Sequence, residues 1–215
     1  MEGPDNPQPA LPKVRRGGAW EAIVEAAEQL FLERGFGAVS MDELAEAAGV
    51  ARRTLYNQFA GKEEIFRETL LRFSAQIEDA IPPGIETRGG VEEVLDLIAR
   101  AIVGLHARPG YLGFFRMVVA ESRQFPWIAH AFAAVMEPMM ERFARYLGYL
   151  TEMAILDCRE PLLAAHLFTG MLNEFVLWPM MMGREAVIAS ADEVVEETVR
   201  MFLLRYRLPR RKGRP

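Results

Sequence analysis

Cysteine is almost absent: Cys158 is the only one in 215 residues. An internal disulfide and a cysteine-rich metal site are therefore excluded. Histidine is scarce too. His106, His130 and His166 fall on separate segments, and no His/Cys/carboxylate spacing suits a metal. A Gly-rich phosphate loop and a Gly-x-Ser-x-Gly elbow are both missing. No uncharged apolar run is long enough to cross a bilayer. The first residues carry prolines and acids where a secretory leader needs a basic start and an apolar core. A cytoplasmic protein with no membrane contact, no cofactor and no enzymatic site is expected. Positive charge is also short, with 25 Lys and Arg against 30 Asp and Glu. Residues 1–65 alone hold seven cations and eleven acids. A broadly basic surface is excluded, so any recognition of phosphate must come from local placement of charge.

What is present is apolar bulk: 51% hydrophobic residues, with 13 Phe, 12 Met and 3 Trp. The stretch Ser40 to Phe59 organises the chain. Ser40 followed three residues later by Glu43 is a capping box that opens a short helix. Gly49 suits the left-handed turn that ends it. A second short helix, from about Ala51 to Phe59, places Ala51, Leu55, Gln58 and Phe59 on one side. Arg53, Tyr56 and Asn57 lie on the other, with Arg52 and Thr54 at the edges. Two short helices about a tight turn, with such a face outward, read as a helix-turn-helix whose second helix contacts DNA.

Around this unit the periodicity predicts helices throughout. Residues 1–18 read as a disordered arm in which Lys13, Arg15 and Arg16 could reach phosphates or a minor groove. A bracing helix runs from about Gly18 to Arg34. Another begins at Lys62, with Glu63 and Glu64 in its first turn, and continues to Ile77 before Pro82-Pro83-Gly84. Lys62 and the backbone N–H groups beside it form a possible phosphate site. Further helices are predicted from Gly90 to His106, Tyr111 to Gln124, Trp127 to Leu150, Arg159 to Met182 and Ala191 to Tyr206. Pro138 should kink or split the third of these. The fold class is all-α: a 19–66 DNA-binding domain, a 67–208 helical domain and a basic tail at 209–215.

The run from residue 19 to 66 resembles the TetR (tetracycline-repressor-type) family of transcriptional regulators. The resemblance lies in Ala26-Ala-Glu-Gln-Leu-Phe31, Gly35-Phe36, Ser40-Met41-Asp42-Glu43-Leu44-Ala45, Ala48-Gly-Val50, Thr54-Leu-Tyr-Asn-Gln-Phe59 and Lys62-Glu63. It implies a homodimer whose larger helical domain dimerises and often binds a small molecule. By position it implies DNA contacts for Thr54, Tyr56, Asn57 and Lys62, the tyrosine and lysine mainly on phosphates. Ala51 departs from the small hydroxyl residue often found there. Residues 115–126 are similar to the C-terminal domains of AefR-like members. With the outward face and the cap added, the candidate DNA contacts are Ser40, Arg52, Arg53, Thr54, Tyr56, Asn57 and Lys62.

The helix predicted over 159–182 is apolar nearly all round, so it needs covering twice. Together with the last helix it is expected to form the interface with a second copy. Candidate ligand contacts are Phe114, Met117, Glu121, Trp127, Phe132, Met136, Met140, Met171, Glu174, Phe175 and Trp178, a Met- and aromatic-rich set that suits a small apolar or aromatic molecule. Glu121 and Glu174 stand out as acids on apolar stripes. Each meets a ligand group or is neutralised by a partner, for Glu121 an arginine such as Arg116, Arg123 or Arg142. His166, Thr169 and Asn173 form a polar stripe facing a pocket or the dimer. The expected function is a ligand-responsive transcriptional regulator, a repressor on a palindromic double-stranded DNA operator. The alternative is a helical carrier or enzyme for hydrophobic small molecules.

Overall fold

The computed structural model describes residues 17–78, 89–108, 110–184 and 190–209. The expected arm with Lys13, Arg15 and Arg16, the Pro82-Pro83-Gly84 stop, Pro109 and the basic tail from residue 210 lie outside the described residues. The described residues form ten α-helices and one π turn, with a single isolated bridge between Leu156 and Arg207. No helix among them is long and apolar enough to cross a membrane.

Helix α1 (Gly18–Arg34) ends at Gly35, whose φ is +81°. Helix α2 (Met41–Ala47) opens with the expected box: the Glu43 N–H donates to Ser40 Oγ at 3.3 Å, and the Ser40 N–H donates to Glu43 Oε2 at 2.8 Å. Gly49 takes φ +64°, a turn that a residue with a Cβ adopts only under strain. It lets the Val50 N–H close back on the Ala45 carbonyl. Helix α3 (Arg52–Gln58) follows, anchored inward by Leu55 and Phe59, both buried. Trp20 of α1 stacks on Phe59, ring centroids 6.2 Å apart. Helix α4 (Lys62–Glu78) buries Ile65, Phe66, Leu70, Phe73 and Ile77.

The remaining helices are α5 (Val91–His106), α6 (Tyr111–Ser122), α7 (Pro126–Glu152), α8 (Pro161–Leu172), α9 (Trp178–Met181) and α10 (Ala191–Tyr206). Between α8 and α9 the backbone widens into a π turn, Asn173–Leu177, so residues 161–181 are helical without a break. The expected start of this rod at Arg159 moves to Pro161, which stands in the first turn where no N–H is needed. Pro138 does not split α7, which runs 27 residues through it. The proline forfeits one hydrogen bond, and packing of α7 on α4, α6 and α8 holds the rest in place.

Two apolar clusters result. One joins α1 to α4 with α6 and the first turns of α7, from Trp20 and Phe31 to Phe114 and Ile128. The other joins α5, the second half of α7, α8 and α10 around Leu95, Leu147, Phe168 and Phe202. The first cluster does not stop at residue 66: Leu70 and Phe73 carry it on, and Phe73 stacks on Phe114 at 4.3 Å. The helix-turn-helix unit is therefore seated on α6 and α7 by shared core.

His106 ends α5 fully enclosed, its ring 5.5 Å from that of Tyr111, and its Nδ1 has no hydrogen-bond partner among the described residues. Burial pushes its pKa from 6.5 down to about 4. Between those values the unfolded chain binds a proton that the folded chain does not. The stability due to the neutral imidazole is full above about pH 6.5 and is lost as pH falls toward 4. In urea melts across that range His106→Leu should lose less stability on acidification than the wild type. Equal losses in the two proteins would contradict this account.

Candidate functional site

Helix α3 presents Arg52, Arg53, Tyr56 and Asn57 to solvent, with Thr54 half-buried at the edge. Leu55 and Phe59 fix which face points outward, because a quarter-turn rotation would expose both. Arg52 is steadied on this face by Asp42 of α2, Nε to Oδ1 at 3.0 Å, and lies over the Tyr56 ring at 5.6 Å. The hydrogen bond with Tyr56 and the charge of Asp42 raise its pKa further. Arg53 forms no ion pair among the described residues and is the free cation of the face. Ser40 is exposed, yet its hydroxyl already serves the cap, donating to Glu43 Oε2 at 2.7 Å. Glu43 in turn meets Arg34 Nη1 at 2.7 Å. The two Ser40 hydrogen bonds and Arg34 hold its carboxyl down at about pKa 2. The cap thus stays ionised over the whole neutral range.

Without DNA the Lys62 ammonium turns inward, a contact the sequence did not announce. It donates to the carbonyls of Phe36 at 2.7 Å and Val39 at 2.6 Å, with Gly37 O at 3.4 Å, and lies 4.5 Å from the Phe36 ring centroid. Desolvation lowers its pKa, opposed by the charges of Glu121 and Glu43. Carbonyl lone pairs of the α1–α2 turn accept from the cation, while the first turn of α4 presents N–H groups that repel it, and Glu64 accepts there from the Ala60 N–H at 2.6 Å.

Glu121 meets the same turn from the other side. It was expected to pair with an arginine or a ligand, but its Oε2 accepts from the Gly37 N–H at 3.2 Å. A Cβ at Gly35 would lie 2.3 Å from Glu121 Oε1, the movable end of that side chain, so it is the positive φ of +81° that calls for glycine there. Of the expected arginine partners, Arg116 donates instead to the carbonyls of Met180 and Met181 at 2.6 and 3.1 Å. Phe36 completes the contact, packed edge-on against Phe125 and Trp127 at 5.1 and 5.3 Å.

The eleven expected ligand contacts are not brought together. Phe132, Met136 and Met140 line a half-open cavity of about 980 Å³ between α4 to α8 and the π turn. Phe114 and Met117 are buried in the first core, and Trp127 sits under Arg67 at the α4–α7 contact. Met171 and Phe175 line an outer groove beside α10. Glu174 and Trp178 are exposed on the same side of the rod, so Glu174 is not a buried acid. The apolar stripe read from sequence is the rod's outward face. Its face toward α7 carries Thr169 and Asn173, half-buried, and the exposed His166, and all three line the cavity. Sequence reasoning missed Tyr111, Phe115, Arg142 and Tyr146, which line it too. The signal was the stripe Phe132, Met136, Met139, Phe143 and Tyr146 on α7.

Such an arrangement, a capped helix-turn-helix carried on a cavity-bearing helical domain, defines a class of DNA-binding regulator. Residues 23–69 match the family model of bacterial regulatory proteins, tetR family, and residues 93–208 match that of the AefR-like transcriptional repressor, C-terminal domain. The chain belongs to the TetR family, a family of transcription regulators and not of enzymes. A TetR-family transcriptional regulator from Mesorhizobium loti superposes with a TM-score of 0.78 at 25% identity, over 91% of this chain and 100% of that one. The flavonoid-responsive regulator FrrA gives 0.77 at 28% identity, over 89% and 98%. The HTH-type transcriptional activator FasR of Mycolicibacterium smegmatis is 31% identical over 96 residues, 41% of this chain and 42% of its own length. The chain spans about half the length of the curated relatives it matches.

Removing the Lys62 ammonium leaves two short hydrogen bonds of the α1–α2 turn unmade, which costs on the order of 1–3 kcal/mol. Lys62→Met should lower the urea midpoint accordingly in the absence of DNA. An unchanged midpoint would return Lys62 to a purely phosphate-facing role.

Proposed function

We propose that this protein is a ligand-responsive repressor that binds a palindromic operator as a homodimer in the cytoplasm. The observation that carries the reading is the α3 face. Arg53, Tyr56 and Asn57 stand outward on a helix short enough to enter a major groove, and Leu55 and Phe59 hold its orientation. Arg53 and Asn57 read base edges. Tyr56, Thr54 and Arg52 contact the sugar–phosphate backbone, with the N-terminus of α2 at Ser40 close to the adjoining phosphates. Lys62 acts by holding the turn beneath these helices.

Dimerisation is supported by an apolar row that one chain leaves wet. Leu163 is 57% exposed, Met182 72% and Leu204 80%, with Leu167, Phe175, Trp178 and Met201 between them. A second copy applied to α8, α9 and α10 would cover these positions and set two α3 helices about 34–36 Å apart. Repression is supported by the match to the AefR-like repressor domain. Response to a small molecule is supported by the cavity and by the likeness to a regulator described as flavonoid-responsive.

Duplexes selected from a random library should yield a two-fold symmetric site. On that site Arg53→Ala or Asn57→Ala should relax base preference by roughly 1–3 kcal/mol at a contacted pair, whereas Tyr56→Phe should weaken binding evenly across sequences. Equal operator binding by all three variants would refute the assignment of the face. Leu204→Glu should yield monomers in sedimentation and abolish tight operator binding. A dimer that survives this change would place the interface elsewhere.

A further inference from the structure

The cavity is long rather than round. Its α7 lining runs from Phe132 to Tyr149, about 25 Å along the helix axis. A volume of about 980 Å³ spread over that length leaves a mean section of about 40 Å². Helix α8 packs on α7, and Thr169 Oγ1 lies 3.8 Å from Met140 Sδ. Pro161 Cγ would lie 3.8 Å from a Cβ at Gly148, so the two helices run antiparallel and the slot follows them.

Its chemistry changes along its length. The end toward the DNA-binding unit is walled by Ile77, Leu105, Phe115 and Phe132, with Phe115 and Phe132 edge-to-face at 5.0 Å. About 15 Å along α7 from Phe132 the slot carries Arg142, Arg145 and His166, with Tyr149 and Leu162 beyond them. Arg145 is engaged by Glu141 at 3.7 Å. Arg142 is exposed along the slot and forms no ion pair among the described residues. Glu137 is the one carboxylate lining the slot, against these two guanidinium groups and an imidazole.

From this gradient we infer that the slot takes a linear amphiphile with a single anionic head, of the long-chain carboxylate class. The hydrocarbon lies along α7 toward Phe132, and the carboxylate is received by the Arg142 guanidinium with His166 beside it. Arg142 suits this role because its planar fork matches a carboxylate bidentately, and its exposure leaves it hydrated until the ligand arrives. The apolar tail would end against Phe115 and Phe132, whose neighbours Phe73 and Phe114 belong to the cluster that seats the helix-turn-helix unit. This inference rests on the proposal of a ligand-responsive regulator and names the ligand class for it.

Calorimetric titration of the full chain, without DNA, tests the inference with palmitate, hexadecanol and the planar polyphenol quercetin. Palmitate should bind at least ten-fold more tightly than hexadecanol. Arg142→Gln should weaken palmitate at least ten-fold and leave hexadecanol unchanged. Met136→Trp, which fills the middle of the slot, should block palmitate. Equal binding of acid and alcohol, no effect of Arg142→Gln, or quercetin bound in place of palmitate would overturn the assignment. A parallel operator-binding measurement separates the two levels. Palmitate that binds as described without changing operator affinity leaves the site standing and removes the regulatory reading. Quercetin that alone shifts operator affinity removes the carboxylate assignment and leaves regulation standing.

Discussion

Opposite charges grip one turn of four residues from two sides, and the position of the DNA-binding unit depends on that grip. Lys62, at the start of α4, holds the carbonyls of Phe36 and Val39. Glu121, near the end of α6, holds the N–H of Gly37. Neither charge is fully buried, so neither pays the full cost of leaving water. The turn gains direction from both: its carbonyls face the cation and its amide faces the anion. Phe36 then enters the aromatic cluster with Phe66, Phe125 and Trp127. A sequence-based reading sees α4 as the sole continuous link between the two halves of the chain. Through Glu121 and Phe36, α6 is a second link that the covalent order does not reveal.

This second link gives ligand coupling a physical route. Phe115 of α6 lines the cavity, and Glu121 lies six residues further along the same helix. A ligand that shifts or stiffens α6 moves the acceptor of the Gly37 N–H, and with it the turn on which α2 and α3 stand. Such a ligand alters DNA affinity only as far as it binds one arrangement better than the other. The π turn at Asn173–Leu177 belongs to the same mechanics. Asn173 and Leu177 face the cavity while Phe175 faces outward, so one widened turn of backbone separates the ligand side from the proposed dimer side.

The local elements were legible because their signals are short-ranged. Ser40 and Glu43 announced the cap of α2, Gly49 announced the turn, and the spacing of Leu55 and Phe59 fixed the outward face of α3. The helices of the second half followed from periodicity, with the start of α8 displaced by two residues to Pro161. What sequence could not give was the direction of long polar side chains. Lys62 sits one turn after α3, which is consistent with a phosphate contact, and only the fold brings the carbonyls of residues 36–39 within its reach. Glu121 shares a helical stripe with Phe114 and Val118, and Gly37, 84 positions away, becomes its partner only through tertiary packing. Helical periodicity also cannot tell which of two apolar faces turns inward. Met171, Phe175 and Trp178 read as pocket or interface equally well until α10 was placed beside them.

Amide hydrogen exchange at Gly37 tests the two-sided grip most directly. In the wild type this N–H should exchange slowly despite its place in an exposed turn. Glu121→Ala should raise its exchange rate at least ten-fold, with the amides of α10 unchanged because that helix belongs to the other core. Exchange at Gly37 that is already fast in the wild type, or unaltered by the loss of Glu121, would contradict the claim that α6 holds the DNA-binding unit through this turn.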